Sequence, residues 1–537
     1  MPEPFRVLIA DPMSPRAAEL LRASPRVAVD VRDDITAADL VTAIADYDAL
    51  IVRSRTQVTR EVIDAGARLK LIGRAGIGVD NIDVAAASRR GILVENTPGG
   101  NAVTTAEHAL CLLMALARHI PQAAASMRAG KWEKKRFNGR ELCGKTLGVI
   151  GLGNIGRIVA DRARGLHMTV IGCDPFLSAD AAARLGVELV DFDTLCARAD
   201  FVTVHTPLTA ATRGLIGAEA LARMKPGVLI VNAARGGIVD EAALVDALER
   251  GHVGGAALDV FETEPPPPDH PLRRHERVVC TPHLGASTDE AQEKVAAEIA
   301  EQVVAFAERG EVRNAVNMTP VPVELREALA PWLDLARQMG RLVGQLAHGD
   351  GRAIDELTVE VLGELADTGA KACANAALVG LLGTFLDVPV NEVNAPLIAA
   401  ERGLGVREVA QRKGVDYAAA VALTARAGDR QHYVKGTLYH IGGKVAPRIV
   451  QIDDFLVETK PRGRLLVVRN HDRPGVIGKV GTLLGDRSIN VNSLHVGLHR
   501  PSGVAIALWN VDASVDRELV AAVAALPEVI DAMVVDL

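Results

Sequence analysis

One stretch, residues 146–175, constrains the fold of this chain more than any other. It begins T-L-G-V-I-G-L-G-N-I-G-R, continues in a helical pattern, and closes with a second apolar segment that stops at Asp174. Gly151, Gly153 and Gly156 have the spacing G-x-G-x-x-G. The first glycine permits a tight strand-to-helix turn, the second lets a pyrophosphate approach the backbone, and the third lets the helix pack closely on the strand. The stretch therefore predicts a dinucleotide site.

The surroundings of the glycines make this prediction specific. A lone G-x-G-x-x-G occurs by chance, but here two apolar strands, a helix and an acid accompany it. The helix N-terminus would offer N–H groups and a positive dipole end to the phosphates. An acid at the position of Asp174 bonds the ribose hydroxyls and repels a 2′-phosphate, so we expect NAD rather than NADP.

Composition excludes several other classes of protein. The 537 residues, 49% hydrophobic and 24% charged, allow about three or four ordinary globular domains. A net charge of −7 argues against a general nucleic-acid or anionic-membrane surface. The six cysteines are scattered without metal-ligand spacing, and the start has no signal-peptide pattern. We therefore expect a cytoplasmic protein with no metal site and no membrane or nucleic-acid partner.

The first part of the chain alternates strand and helix patterns, which indicates a parallel sheet with helices on both faces. Its first strand ends without a glycine turn, so this unit resembles a Rossmann half that holds no nucleotide. A long helical pattern after His283 suggests a return to this unit. We predict a discontinuous substrate-binding domain, residues 1–98 and 284–315, around an NAD-binding Rossmann domain at 99–283.

The last third of the chain predicts two further domains. Residues 316–455 begin with helical patterns and contain strand patterns at 357–361 and from 433 to 450, without a chemical motif. Residues 464–537 follow the order β-α-β-β-α-β, which is the ferredoxin-like pattern. The predicted fold class is α/β: two Rossmann-like doubly wound parallel-sheet domains, then an α+β intervening domain and a ferredoxin-like domain.

Three polar residues follow the later strands of the nucleotide unit: Arg235 in N-A-A-R-G-G, Glu264 in F-E-T-E-P and His283 in T-P-H-L-G. Oxidising a 2-hydroxy acid needs a base for the hydroxyl proton, a cation for the carboxylate, and a group that holds the base. Histidine, arginine and glutamate suit these roles in that order. Taken singly, Arg235 could be a surface ion pair, Glu264 a solvated acid, and His283 a capping or core residue.

Together, and downstream of the glycine motif, these residues resemble the D-isomer-specific 2-hydroxyacid dehydrogenase family over about residues 5–315. The resemblance implies that Arg235, Glu264 and His283 are catalytic. The cofactor contacts that it implies, beside the three glycines, are Asn154, Ile155, Asp174, Thr206, Ala233, Arg235, Asp259 and His283.

Other stretches resemble the branch of this family that oxidises 3-phosphoglycerate. They are V-R-S-R-T at 52–56, G-R-A-G-I-G-V-D-N-I-D at 73–83 and K-W-E-K-K-R-F at 131–137, although the last could be a solvated charge run. The resemblance implies that Arg53 and Arg74 bind the phosphate. It further implies carboxylate contacts at Gly76, Ile77 and Gly78, and a contact of Lys134 with the neighbouring subunit's substrate. Ile77 departs from the threonine often found between these glycines.

The C-terminal unit resembles an ACT domain through N-H-D-R-P-G-V-I-G at 470–478 and S-I-N-V-N-S-L at 488–494. Asp472 and Asn490 match positions where such domains bind an amino acid between subunits. An Asx turn at Asp472 and a strand-start role for Asn490 are the structural alternatives. The intervening residues resemble the extra regulatory domain of the long form of the enzyme.

The resemblance implies NAD-dependent oxidation of 3-phosphoglycerate to 3-phosphohydroxypyruvate, the first step of serine synthesis, in a homotetramer inhibited by L-serine. Two alternatives stay open. One is a family member acting on another acid, such as glyoxylate or 2-hydroxyglutarate. The other is a non-enzymatic, corepressor-like NADH sensor. The two arginines and the ACT-like unit argue against the first, and the ACT-like unit argues against the second.

Overall fold

The structure is a computed structural model that describes residues 3–319, 321–349, 353–386, 388–412, 416–512 and 515–537. Its first sheet is parallel, in the order β2-β1-β3-β4-β5. Leu8 packs into one core and its neighbours Val7 and Ile9 into another, so both faces of this sheet are covered. The elements of this unit are β1 (Phe5–Ile9), α1 (Arg16–Ala23), β2 (Val27–Val31), α2 (Ala37–Ala43), β3 (Ala49–Val52), α3 (Arg60–Ala65), β4 (Leu71–Arg74), α4 (Val84–Arg89) and β5 (Leu93–Asn96).

The second unit carries the glycine motif. Its elements are α5 (Ala102–Ala117), α6 (Ile120–Arg128), β6 (Thr146–Ile150), α7 (Asn154–Gly165), β7 (Thr169–Cys173), α8 (Ala179–Arg184), β8 (Glu188–Leu189), α9 (Phe192–Arg198), β9 (Phe201–Val204), α10 (Ala218–Arg223), β10 (Val228–Asn232), α11 (Glu241–Glu249), β11 (Val253–Leu258), α12 (Pro271–Arg274) and β12 (Val278–Cys280). The strands are parallel in the order β12-β11-β10-β9-β6-β7-β8. The order reverses between β6 and β9, and ligands of such sheets bind at this switch point, beyond the carboxyl ends of the strands.

Helix α13 (Asp289–Arg309) carries the chain back to the first sheet. Thr288 caps its N-terminus, and Gly310 ends it in a left-handed conformation at φ 61°. Ile299 of this helix packs over Gly73, where a Cβ would lie 2.8 Å from its Cγ1. The chain thus crosses twice between the two units, at residues 97–101 and before α13. The domain bounds given above remain a proposal.

The third unit is a mixed sheet with helices on one side. Its elements are α14 (Arg326–Gly349), β13 (Glu356–Gly363), α15 (Ala370–Leu382), α16 (Ala395–Glu401), β14 (Gly405–Gln411), β15 (Ala419–Ala427), β16 (Arg430–Ile441), β17 (Lys444–Ile452) and β18 (Phe455–Thr459), with the sheet order β14-β13-β15-β16-β17-β18. The sequence did not lead us to expect β14, β15 or β18. Strand β15 is rich in alanine, which is depleted in strands, so its pattern is weak. Across the ranges that the structure describes, no helix has the length and apolar character needed to cross a membrane.

The last unit is antiparallel, with the sheet order β20-β21-β19-β22. Its elements are β19 (Arg464–His471), α17 (Val476–Asp486), β20 (Val491–His499), β21 (Val504–Val511), α18 (Arg517–Ala524) and β22 (Val529–Asp536). This is the predicted ferredoxin-like arrangement. Leu466 packs under its own two helices, whereas Leu465 joins the core that α14 forms with the third unit.

Candidate active site

The glycine loop has the geometry that its sequence predicts. Gly151 has φ 89°, and a Cβ there would lie 2.7 Å from the carbonyl oxygen of His205. A Cβ on Gly156 would overlap the carbonyl oxygen of Gly151, so the helix packs tightly on the turn. A Cβ on Gly153, by contrast, would meet nothing within 4 Å. The loop is therefore closely packed on its inner side and open on the side where a pyrophosphate would approach.

The N-terminus of α7 completes this anion-binding geometry. The helix begins at Asn154, and no side chain caps it, so its first N–H groups point toward the open side of the loop. Asp174, at the end of β7, accepts hydrogen bonds from the N–H groups of Leu152 at 2.8 Å and Phe176 at 2.9 Å. The carboxylate thereby stands at the edge of the loop, where a ribose would lie. Phe176 is almost fully exposed beside it.

The ends of β9 and β10 supply the other side of the crevice. Thr206 follows β9, and its hydroxyl oxygen is buried without a hydrogen-bond partner among the described residues. Its methyl group would lie 2.8 Å from a Cβ on Gly151, so it borders the loop. Ala233, just after β10, is buried. An unpartnered hydroxyl beside an open glycine loop fits a bound dinucleotide, which would supply the missing polar partner.

His283 and Glu264 form a direct pair. The Nδ1 atom of His283 lies 2.7 Å from Oε2 of Glu264, and Oε1 of Glu264 accepts the N–H of Phe261 at 3.1 Å. Burial alone would raise the pKa of Glu264, but the hydrogen bonds from His283 and Phe261 outweigh it and hold the pKa below its ordinary value. A charged carboxylate at Nδ1 fixes the tautomer in which Nε2 accepts a proton.

Asp259 is buried directly behind this pair. Its carboxylate accepts hydrogen bonds from the Thr281 hydroxyl at 2.6 Å, from Leu284 N–H at 2.8 Å and from Gly285 N–H at 2.8 Å. Burial acts to raise its pKa, and the hydrogen bonds, led by that from His108, lower the pKa below its ordinary value. These internal donors already hold both carboxylate oxygens. The cofactor contact predicted for Asp259 stays a prediction.

Arg235 reaches across to the first unit. Its Nε donates to Oδ2 of Asp80 at 3.0 Å, and its Nη1 donates to the carbonyl oxygen of Ala234 at 2.7 Å. A Cβ on Gly78 would overlap its guanidinium group, so the glycine loop at 76–78 and Arg235 are in direct contact. Asp80 was not among the predicted residues, although it stands in the same G-R-A-G-I-G-V-D stretch.

Two more arginines lie near this loop, of which Arg53 donates from Nη1 to the carbonyl oxygen of Pro12 at 3.2 Å and acts on Arg74 through its charge. Arg74 ends β4, and its guanidinium lies over Gly76. Burial, followed by the positive charges of Arg235 and Arg53, lowers the pKa of Arg74 to about 10. The Nε of Arg74 is buried without a hydrogen-bond partner among the described residues. Clustered, partly desolvated cations of this kind form a site for an anion.

Comparison with known proteins identifies the family of the chain. Three family models match: "D-isomer specific 2-hydroxyacid dehydrogenase, NAD binding domain" at residues 110–285, "D-3-phosphoglycerate dehydrogenase intervening domain" at 328–453, and "ACT domain" at 464–528. The D-3-phosphoglycerate dehydrogenase of Archaeoglobus fulgidus is 44% identical, covering 99% of this chain and 100% of the relative. The enzyme of the same name from Bacillus subtilis is 40% identical, with coverage of 99% and 100%.

The chain belongs to the D-3-phosphoglycerate dehydrogenase family. It is an NAD-dependent dehydrogenase, as the sequence predicted. Solved structures resemble the first two units of this family member. A glyoxylate reductase from Paecilomyes thermophila has 33% identity and a TM-score of 0.54, covering 59% of this chain and 99% of its own. A D-lactate dehydrogenase from Aquifex aeolicus, complexed with NAD and lactic acid, has 27% identity and a TM-score of 0.51, covering 58% and 98%.

The loop at residues 76–78 is held by two internal hydrogen bonds. The N–H of Gly76, which has φ 147°, donates to the carbonyl oxygen of Arg74 at 2.9 Å. Asn96, which was not among the predicted residues, donates from Nδ2 to the carbonyl oxygen of Ile77 at 2.6 Å. The substrate contacts of Gly76, Ile77 and Gly78 stay predictions.

The remaining predicted residues of the dehydrogenase lie on the surface. Lys134 is exposed on a short 3₁₀ turn. Asp472 and Asn490 are exposed on the ACT unit, where Asn490 donates from Nδ2 to Oδ1 of Asn492 at 3.3 Å. Such exposed positions are compatible with contacts between subunits. Their roles stay predictions.

Proposed function

We propose that this chain oxidises D-3-phosphoglycerate with NAD to 3-phosphohydroxypyruvate, the first step of L-serine synthesis. The observation that carries the proposal is the contact of Arg74 with Gly76 and of Arg235 with Gly78, together with a charge of Arg53 that acts on Arg74. A substrate with both a phosphate and a carboxylate supplies two anions to these three cations. The names of the full-length relatives support the same substrate.

Two side chains carry the proton transfer: His283 is the base, and Glu264 orients it. The open side of the glycine loop and Asp174 would hold NAD, which would supply the acceptor for the hydride from C2 of the substrate. Nε2 of His283 takes the proton of the C2 hydroxyl, so the alcohol loses one hydride and one proton and becomes a ketone. Glu264, 2.7 Å from Nδ1, accepts the hydrogen of Nδ1, so that Nε2 is the nitrogen that accepts the proton, and it stabilises the imidazolium formed in the reaction.

The arginines divide between the two ends of the substrate. Arg235 holds the carboxylate and the developing carbonyl oxygen, and Asp80 fixes its direction at 3.0 Å. Arg53 and Arg74 hold the phosphate. A buried guanidinium such as that of Arg74 is costly without a counter-charge, which a phosphate supplies and glyoxylate does not. This argues against the small unphosphorylated acid. 2-Hydroxyglutarate carries a second anionic group, so an activity assay must distinguish it from 3-phosphoglycerate as the substrate.

The test measures NADH formation with 3-phosphoglycerate, glyoxylate and 2-hydroxyglutarate. We expect turnover with the first, loss of that turnover in His283→Ala, and retained NADH binding by fluorescence in that variant. Arg74→Leu should raise KM for 3-phosphoglycerate roughly 10- to 100-fold, as loss of one charge-assisted contact does, while Arg74→Lys should raise it less. Turnover only with 2-hydroxyglutarate would overturn the substrate. NADH binding without any turnover would favour the sensor.

We further propose that the chain forms a homo-oligomer, specifically a homotetramer, and that this oligomer is located in the cytoplasm. Large apolar side chains stand out on α5, α6 and the segment before Lys134: Met114, Ile120, Met127 and Trp132 are exposed, Trp132 by 81%. Such a patch is typical of a subunit contact. Light scattering after size-exclusion chromatography should give a multiple of the 56.7 kDa chain mass, and a monomer would contradict this proposal.

We also propose L-serine as an inhibitor that binds at the ACT units. Asp472 would pair with its ammonium group, and the Asn490 amide would bind its carboxylate or hydroxyl. Calorimetry with the full chain should detect binding that Asp472→Ala abolishes, and the rate should fall on adding serine to the wild type. Binding without an effect on the rate would remove the inhibition and leave the ACT unit a role in assembly.

A further inference from the structure

The loop that carries His283 is organised around one buried carboxylate. The Asp259 side chain accepts from the Thr281 hydroxyl and from the N–H groups of Leu284 and Gly285, and its main-chain carbonyl oxygen accepts the N–H of His283 at 2.9 Å. His283 itself has φ 55°, which a residue with a side chain adopts only when its surroundings hold it. The position of the base thus depends on Asp259.

A residue outside this loop completes the set. His108 lies on α5, and its Nε2 is 3.1 Å from Oδ1 of Asp259 and 3.3 Å from Oγ1 of Thr281. The carboxylate of Asp259 only accepts, and the Thr281 hydroxyl already donates to it at 2.6 Å. Nε2 of His108 must therefore carry the hydrogen and donate it. The His108 side chain is only 19% exposed, so water is a poor substitute for it.

We propose that His108 is a positioning residue for the catalytic base: it donates to Asp259 and, through that carboxylate, holds the loop of residues 281–285 that presents His283. Only the kinetic consequence of this proposal rests on the proposed function. Its structural consequence, a fixed loop, follows from the contacts alone. Because α5 starts at Ala102, directly after the first crossover between the two units, His108 also links the loop of the base to the helix that follows this crossover.

Two variants of His108 distinguish the effect of a hydrogen-bond donor at this position from the effect of a charge. His108→Gln keeps an N–H donor near the position of Nε2 and cannot titrate, whereas His108→Leu keeps bulk and removes the donor. We expect the Leu variant to lower kcat about 10- to 100-fold with the KM for 3-phosphoglycerate changed less than about 3-fold, since misplaced catalytic groups act mainly on kcat. The Gln variant should recover most of that loss.

A second measurement does not need activity. Hydrogen–deuterium exchange of the peptide that contains residues 281–288, in the protein without NAD, should be faster in His108→Leu and near wild type in His108→Gln. His252→Leu is the matched control, because His252 lies in the same unit and bonds the carbonyl oxygen of Leu221 at 2.9 Å instead of the loop. That variant should leave the exchange of this peptide unchanged.

The outcomes separate this proposal from the proposed function. Wild-type protein inactive on 3-phosphoglycerate, with faster loop exchange in His108→Leu, overturns the substrate and keeps the positioning role. Unchanged exchange and unchanged kcat in His108→Leu overturn the positioning role. Equal loss of kcat in the Gln and Leu variants, with unchanged exchange, also overturns it. Should His108→Leu fail to fold, Thr281→Val removes a parallel donor to the same carboxylate oxygen and should speed the same exchange.

Discussion

Glu264 contributes to the site through its charge at one atom of His283. In Glu264→Gln the side chain keeps nearly the same size, but its amide can donate to Nδ1 and so favour the tautomer in which Nε2 carries the hydrogen. We expect kcat to fall by roughly 10²- to 10⁴-fold, because the base then starts in the wrong protonation state. Steady-state kinetics measures this, and Glu264→Asp, which keeps the charge at a shorter reach, should lose less. A Gln variant as active as wild type would contradict the role.

Glu95 shows how burial sets the charge of a single residue away from the chemistry. It is fully buried at the end of β5, on the face toward α13, and its Oε1 accepts the N–H of Arg313 at 2.6 Å. Burial raises the pKa of Glu95 to about 8, against the lowering effect of the Arg313 N–H and of the charges of Arg313 and Arg326. The carboxyl group is therefore mostly neutral at neutral pH.

This gives a pH dependence of stability with a definite sign. The unfolded state ionises Glu95 near its ordinary pKa and the folded state only near 8, so the folded state binds more protons between these values. The free energy of unfolding should fall as pH rises across that window, by up to about 1.4 kcal/mol per unit of pKa difference. Glu95→Gln removes this pH dependence. Urea unfolding at pH 5 and pH 8.5 should show the variant gaining on wild type at the higher pH, and a constant difference would contradict the assignment.

At the scale of elements, Gly153 and Gly156 of the glycine motif serve different properties of the protein. Gly156 serves the packing of α7, and Gly153 serves cofactor binding. A Cβ on Gly156 would overlap a carbonyl oxygen of the turn, whereas a Cβ on Gly153 would enter open space at an ordinary φ of −70°. We expect Gly156→Ala to lower Tm by several degrees through displaced packing of α7. Gly153→Ala should leave Tm within about one degree and weaken NADH binding roughly 100-fold, because the methyl group occupies the approach of the pyrophosphate. The reverse pattern in thermal melts and fluorescence titrations would contradict this division.

The elements that sequence predicted well are those with local signals. The strands β6, β7 and β10 are short apolar runs between breaks, and the glycine motif, Asp174 and His283 each stand at a strand end that can be read along the chain. The edge strand β14 and the alanine-rich β15 lack such a signal, and only the tertiary context makes them strands. The same holds for side chains in the site. Asp80 and Arg235 are 155 residues apart in the sequence, and no local pattern indicates that they pair.

At the scale of the whole molecule, the two C-terminal units are not independent. Helix α14 packs against strands β15, β16 and β17 of the mixed sheet and also against β22 of the ACT unit. Gln345 of α14 makes two hydrogen bonds of 2.9 Å with the main chain of Asp536. The apolar residues of α14 share one core with Leu465 and Leu508 of the ACT sheet. An event at the ACT unit can therefore reach the rest of the chain through this helix.

Strand β19 offers a matched pair of variants for this coupling. Leu465 and Leu466 are adjacent, both fully buried, and face opposite sides: Leu465 toward α14 and Leu466 toward α17 and α18. Each Leu→Ala change should cost about 2–5 kcal/mol of local stability. Hydrogen exchange should rise in α14 only for Leu465→Ala and in the ACT helices mainly for Leu466→Ala. If serine inhibits, as proposed, Leu465→Ala should keep serine-free activity yet weaken the inhibition. Exchange of α14 at the wild-type rate in Leu465→Ala would mean that the ACT sheet and α14 unfold independently, and the shared core would then carry no coupling.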